Sequence, residues 1–147
     1  MVSSVALAKT LARKNTGAVG VHGFVIENHS AGGHNAPPRG PLKLNEEGQP
    51  VYSEKDNVNL SEIRAIGLPF WLAGSFGSHE MLASALAEGA QGVQVGTPFA
   101  FCRESGFEET IKRKVIDLAK SGLVNIKRVR LFWNDDFHAT SLTLERS

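Results

Sequence analysis

The chain has 147 residues, 41% apolar and 21% charged, with a formal net charge of +1. Those values describe an ordinary globular protein long enough to bury a core. They give no bulk electrostatic field for nucleic acid or a membrane surface. The densest basic cluster, Lys127-Arg128-Val129-Arg130, is short and reads as a solvated edge. The single cysteine, Cys102, allows no disulfide within the chain and reads as a small buried hydrophobe. No apolar run approaches the roughly 20 residues of a membrane span. Met1-Val2-Ser3-Ser4 lacks the features of a signal peptide, so the expected location is cytoplasmic and no membrane partner is expected.

In chain order, Ser3 or Ser4 caps a helix over about 4–15, with Val5, Leu7, Ala8, Leu11 and Ala12 as its apolar stripe. Val19 to Glu27 reads as a strand buried on both faces, with His22 a core histidine inside it. Asn28 to Pro41 is a glycine- and proline-rich loop, and Leu42 to Tyr52 suits a small hairpin. Asn59 with Glu62 fits a capping box, and Gly67 and Pro69 stop that helix. Phe70 to Ala73 is a strand entering the turn Gly74-Ser75-Phe76-Gly77. Ser78 caps the next helix, whose expected buried face is Met81, Leu82, Ala85 and Leu86, and Gly89 ends it. Gly92 to Val95 is a third strand, followed by a turn at Gly96-Thr97. Glu108 to Ala119 is a last helix with Ile111, Val115, Ile116 and Leu118 apolar. Strands alternating with helices predict a parallel sheet in an α/β fold. Residues 1–122 form one domain, and 123–147 a divergent tail in which Val129 to Trp133 could be a strand.

Ligands of parallel α/β folds sit at the C-terminal strand ends. Three such ends here carry unusual residues: Ala31-Gly32-Gly33-His34-Asn35, Ala73-Gly74-Ser75-Phe76-Gly77 and Gln94-Val95-Gly96-Thr97-Pro98-Phe99. Glycine lets backbone N–H groups approach an anion, and a following helix N-terminus adds a favourable dipole. One glycine turn is mostly geometry, but three at successive strand ends point to a ligand. His34, after a double glycine, is expected to be functional. No histidine or cysteine spacing suggests a metal. Trp71 and Trp133 read as packing residues.

The stretch VIENHSAGGHNAPPRG resembles the strand and loop of nitronate monooxygenases, which carry Glu-Gly-x-x-Ala-Gly-Gly-His there. PFWLAGSFGSHEMLASALAEGAQGVQVGTPFAFCRES resembles the next two βα units of that family. The resemblance covers residues 3 to 120, and flavin-type enoyl-ACP reductases share its pattern. It implies the C-terminal half of a TIM (β/α)₈ barrel that binds FMN. Gly32 and Gly33 would approach the flavin. Gly74, Ser75, Gly96 and Thr97 would cradle its phosphate, with Gln94 beneath it. His34 would be the catalytic acid/base that takes a carbon-bound proton, as a near-neutral imidazole suits. Four departures stand out. The chain opens at a helix, without the first four strands. Ser75 replaces a second glycine, Asn28 stands where glycine is common, and the family's Thr-Asp and Ser-Pro-Thr-Gly-Phe-Pro stretches are absent.

The expectation is therefore an FMN-dependent oxidoreductase that oxidises nitronates or nitroalkanes with O₂ and has a small-molecule substrate. One alternative is a flavin enoyl-ACP or NAD(P)H:quinone reductase, although no Rossmann-type glycine fingerprint follows any strand. Another is a non-catalytic flavin- or phosphate-binding half-barrel that needs a partner chain. Open sheet edges would let such a half pair as a homo-oligomer.

Overall fold

Three helices start where a short polar side chain meets the first free N–H groups. In the computed structural model, which describes residues 1–14, 20–31 and 36–123, Ser4 Oγ accepts from Leu7 N at 3.0 Å and opens α1 (Val5–Arg13). Asn59 Oδ1 accepts from Ser61 N and Glu62 N and opens α2 (Leu60–Arg64). Ser78 Oγ accepts from Met81 N at 3.2 Å and opens α3 (His79–Ala87). The Glu62 carboxylate pairs with Lys9 Nζ at 2.6 Å, tying α2 to α1. A four-residue α4 (Thr97–Ala100), with Pro98 in its first turn, and α5 (Glu109–Lys120) follow.

The strands are β1 (Phe24–Glu27), β2 (Phe70–Ala73) and β3 (Gly92–Gln94). They form an open, parallel three-stranded sheet in the order β1-β2-β3. The fold is thus α/β and built of parallel βα units, as the alternation predicts. On the outer side of β1, Val2 N donates to Val25 O at 2.8 Å and Glu27 N donates to Val2 O at 3.0 Å.

The side-chain period of two splits the sheet into unlike faces. Phe24, Ile26, Phe70 and Leu72 form the buried cluster with Ala8, Ile63 and Ala85 from the helices. The opposite face carries two rows in register, Val25–Trp71–Gly92 and Glu27–Ala73–Gln94, none of which joins that cluster. Trp71 lies across this face. A Cβ at Gly23 would stand 2.9 Å from its ring, and one at Gly92 3.3 Å. Met1 Sδ reaches Gln94 Nε2 at 4.0 Å. Trp71 is 37% exposed and outside the core cluster, so its ring lies against Gly23 and Gly92 without being buried.

Several expectations are corrected. β1 begins at Phe24, not Val19, and His22 is exposed on the segment before it. Phe24 N donates to Pro69 O, and Pro69 has no N–H to extend the ladder back to His22, so the ladder starts there. On α3 only Ala85 is fully covered, while Met81 and Leu86 are exposed. On α5, for which no buried face was expected in particular, Lys112 and Val115 are buried and Ile111 and Ile116 are exposed. Lys112 can occupy the buried stripe because its ammonium donates to the carbonyls of Cys102, Arg103 and Ser105 at 3.0–3.2 Å. Cys102 is only partly buried, and its thiol donates to Phe99 O. The expected hairpin closes through Val51 N to Lys43 O and Asn45 N to Gln49 O, both 2.9 Å. The tail from 124, with Val129 to Trp133, lies outside the described residues.

Candidate functional site

The C-terminal ends of β1 and β2 fold against each other. Asn28 N donates to Ala73 O at 3.0 Å, and Ala31 N donates to Asn28 O at 2.9 Å, so the chain leaving β1 crosses the end of β2. Gly74 is what lets it cross. A Cβ there would lie 3.0 Å from Ala31 N, 3.1 Å from Ser30 Oγ and 3.2 Å from Asn28 Cβ. Its φ of 101° is also reserved for glycine. Ser75 follows with φ 60°, a left-handed conformation for a residue with a Cβ. The Ser75 hydroxyl donates to Ser30 O over a long 3.5 Å.

The β2 turn also meets the β3 turn, since a Cβ at Gly77 would touch Pro98 Cγ at 3.4 Å. Gly96 is different from Gly74. Its φ is −112° and its ψ −56°, which any residue adopts, and a Cβ there would meet nothing within 4 Å. Thr97 and Gln94 are exposed beside it. The structure thus brings Gly74, Ser75, Gln94, Gly96 and Thr97 to adjoining strand ends. Gly32, Gly33 and His34 lie outside the described residues. A bare backbone facing open space at Gly96, with the Thr97 hydroxyl next to it, fits the phosphate of a flavin mononucleotide.

A small cleft of about 30 Å³ lies at the end of β1, lined by Glu27, Asn28, His29, Arg39, Tyr52 and Asp56 among others. Arg39 N donates to Asp56 Oδ1 at 2.7 Å, and Ser53 N donates to Asp56 Oδ2 at 2.7 Å. These backbone donors, Arg39 first, hold the Asp56 carboxyl below the usual carboxylate range. The His29 ring stacks on Tyr52 with centroids 4.8 Å apart. Sequence reasoning gave His29, Arg39, Tyr52 and Asp56 no role. The available signal was the length of the connection from Asn28 to Asn59, far beyond an ordinary βα loop. Among the described residues no cluster of three or more His, Cys, Asp or Glu could hold a metal, and no helix is long and apolar enough to cross a membrane.

The profile of the nitronate monooxygenase family matches residues 1–132. A (3aS,4S,5R,7aS)-5-hydroxy-7a-methyl-1-oxo-octahydro-1H-indene-4-carboxyl-CoA dehydrogenase of Mycobacterium tuberculosis is 30% identical over 129 residues, 88% of this chain and 32% of that protein. The dehydrogenase of the same name from Rhodococcus jostii is 28% identical over 116 residues, 79% of this chain and 28% of that protein. A probable nitronate monooxygenase of Bacillus subtilis is 38% identical over 53 residues, 36% of this chain and 15% of that protein. No solved structure matches significantly. The chain spans about a third or less of the length of these relatives. The family match over almost the whole chain, on parallel βα units with glycine turns at their C-terminal ends, makes this chain a member of the nitronate monooxygenase family of flavin-dependent oxidoreductases.

Proposed function

We propose that this chain supplies the phosphate side of an FMN site, together with an acid/base histidine, in an oxidoreductase acting on nitronates or similar small carbon acids. The observation that carries the reading is Gly96, whose lack of a side chain serves neither its backbone angles nor any neighbour. Backbone N–H groups of Gly74–Ser75 and Gly96–Thr97, with the Thr97 hydroxyl, hold the phosphate. Gly32 and Gly33 border the ring, and Gln94 stands at the strand end beneath it. His34 accepts the carbon-bound proton, a task for an imidazole that is neutral near pH 7. FMN, when bound, supplies the redox chemistry, and oxygen is the final oxidant.

A second reading has support of its own. The two CoA dehydrogenase relatives match 88% and 79% of the chain, the nitronate monooxygenase relative 36%. On that reading the substrate is an acyl thioester and the chemistry that of a flavin reductase or dehydrogenase. A third, non-catalytic reading is a half-barrel that binds flavin and pairs through its open sheet edges.

The test is an FMN titration of the purified chain followed by ring fluorescence, then anaerobic mixing with a nitroalkane, with an acyl-CoA and with NAD(P)H. Bleaching of the flavin by the nitroalkane supports the first reading, and bleaching by either of the others supports a reductase. Saturable binding without bleaching supports the non-catalytic reading. An absence of flavin binding refutes all three.

A further inference from the structure

The segment from the Gly96–Thr97 turn to α5 has little apolar burial to hold it. No residue of α4 is buried. None of residues 97–107 belongs to the core cluster or packs against it. Phe99 and Phe107 are exposed, and the Phe101 and Phe107 rings stack on each other with centroids 5.8 Å apart. A helix of four residues is too short to support itself, because the first turn fixes several dihedrals for a single bond. Contacts from outside α4 have to keep it wound.

Lys112 of α5 supplies them at the far end of the segment, although only 5% of it is exposed. Its ammonium has three hydrogens and meets three carbonyls: Cys102 O at 3.2 Å, Arg103 O at 3.0 Å and Ser105 O at 3.1 Å. Glu109 Oε2 stands 3.7 Å away on an exposed side chain, so the carbonyls are the nearer partners. Carbonyls that follow a helix carry its negative end, which a cation offsets. From these carbonyls a run of hydrogen bonds leads back to the turn. The Cys102 thiol donates to Phe99 O at 3.1 Å, Phe101 N donates to Thr97 O at 3.3 Å and Ala100 N donates to Gly96 O at 3.0 Å. Without the ammonium the three carbonyls lose their donor and gain by turning to water, which frees the end of α4 to unwind.

We propose that Lys112 is a positioning residue for the phosphate turn. By gathering the carbonyls beyond α4 it keeps residues 97–100 helical, and so holds Gly96–Thr97 in the shape that receives a phosphate. This role rests on the phosphate reading of that turn given above.

The experiment uses the full chain with Lys112→Met and Lys112→Gln, and with Val115→Ala as a control. Val115 is the other buried residue of α5, and truncating it loosens the same helix without touching the three carbonyls. Urea stability, the affinities for FMN and riboflavin by ring fluorescence, and amide exchange at Ala100 and Phe101 are read for each. In Lys112→Met, exchange at those two amides is expected to be about tenfold faster. FMN affinity falls about fivefold or more, while riboflavin affinity stays within about twofold of the parent's. Lys112→Gln, with two donors on a shorter stem, shows the same changes to a smaller extent and decides the matter if Lys112→Met does not fold. Val115→Ala loses stability but keeps both the FMN preference and the exchange rates of Ala100 and Phe101.

Lys112 variants that keep the parent's preference for FMN over riboflavin overturn the positioning role. A loss of FMN affinity with unchanged exchange at Ala100 and Phe101 overturns it as well, because the ammonium would then act by its charge alone. An equal loss of FMN preference in Val115→Ala reduces Lys112 to a part of the general packing and overturns it too. Equal FMN and riboflavin affinities in the parent refute the phosphate reading itself, and the role of Lys112 falls with it.

Discussion

Two glycine turns that look alike as sequence are held for different reasons. At the end of β2, Gly74 is required by the fold, with a φ of 101° and backbone atoms of the neighbouring loop 3.0 Å from where a Cβ would be. At the end of β3, Gly96 has ordinary angles and open space in front of it. The first glycine shapes the site by letting the chain leaving β1 cross β2. The second has no such structural demand, and the proposed phosphate contact is what would give it one. A glycine-rich strand end is evidence for a ligand only after its structural reasons have been removed, and of Gly74 and Gly96 it is Gly96 that passes that test.

The comparison can be broken most forcefully at Gly74. Gly74→Val should destabilise the chain by about 3 kcal/mol, because strain and contact act together. A urea midpoint like the parent's would show that the crossing is not as tight as described. Lys112→Met provides a second reference, at the carbonyls that follow α4. Three carbonyls lose their cation, and the expected loss is about 2 kcal/mol in the same unfolding assay. Gly96→Val should reverse the Gly74 pattern. Stability stays within about 0.5 kcal/mol of the parent, while FMN affinity by fluorescence titration falls at least about tenfold, or 1.4 kcal/mol. Ser75→Gly is the gentlest change. It relieves a left-handed serine at the cost of a freer unfolded chain, for a net gain of about 0.5 kcal/mol by thermal or urea unfolding. Acid sets a last, near-zero effect. A carboxyl held low contributes stability above its unfolded pKa, lost as the pH falls through its folded value. Asp56, held below the usual carboxylate range first by the Arg39 backbone N–H, therefore contributes its share at pH above its ordinary value and loses it only as the pH falls through its lowered folded value. Exchange of the Arg39 amide, corrected for the intrinsic pH dependence of exchange, should be flat at pH values above the ordinary carboxylate range.

Much of this was legible from residues alone, because capping and turn chemistry are local. Ser4, Asn59 and Ser78 announce their helices, and each accepts the N–H bonds such a cap should. The strands β2 and β3 and the adjoining glycine turns follow from short apolar runs ending in glycine. What depended on distant partners was not legible. His22 sits outside β1 because β2 begins only after Pro69. Lys112 is buried on α5 because three carbonyls gather around its ammonium, which the apolar periodicity of the helix does not show. The Arg39–Asp56 tie joins residues 17 apart through a backbone N–H, which no motif encodes. Tyr52 likewise reaches Ala36 from within a hairpin that reads as a connector.

The central claim is that the turn at Gly96-Thr97 receives a phosphate. The most direct measurement is the affinity of the purified chain for FMN beside its affinity for riboflavin, which has the same ring and no phosphate. The account predicts FMN binding at least about tenfold tighter than riboflavin, with Gly96→Val erasing most of that difference. Equal affinities for the two flavins, or an FMN preference that Gly96→Val leaves intact, would contradict it.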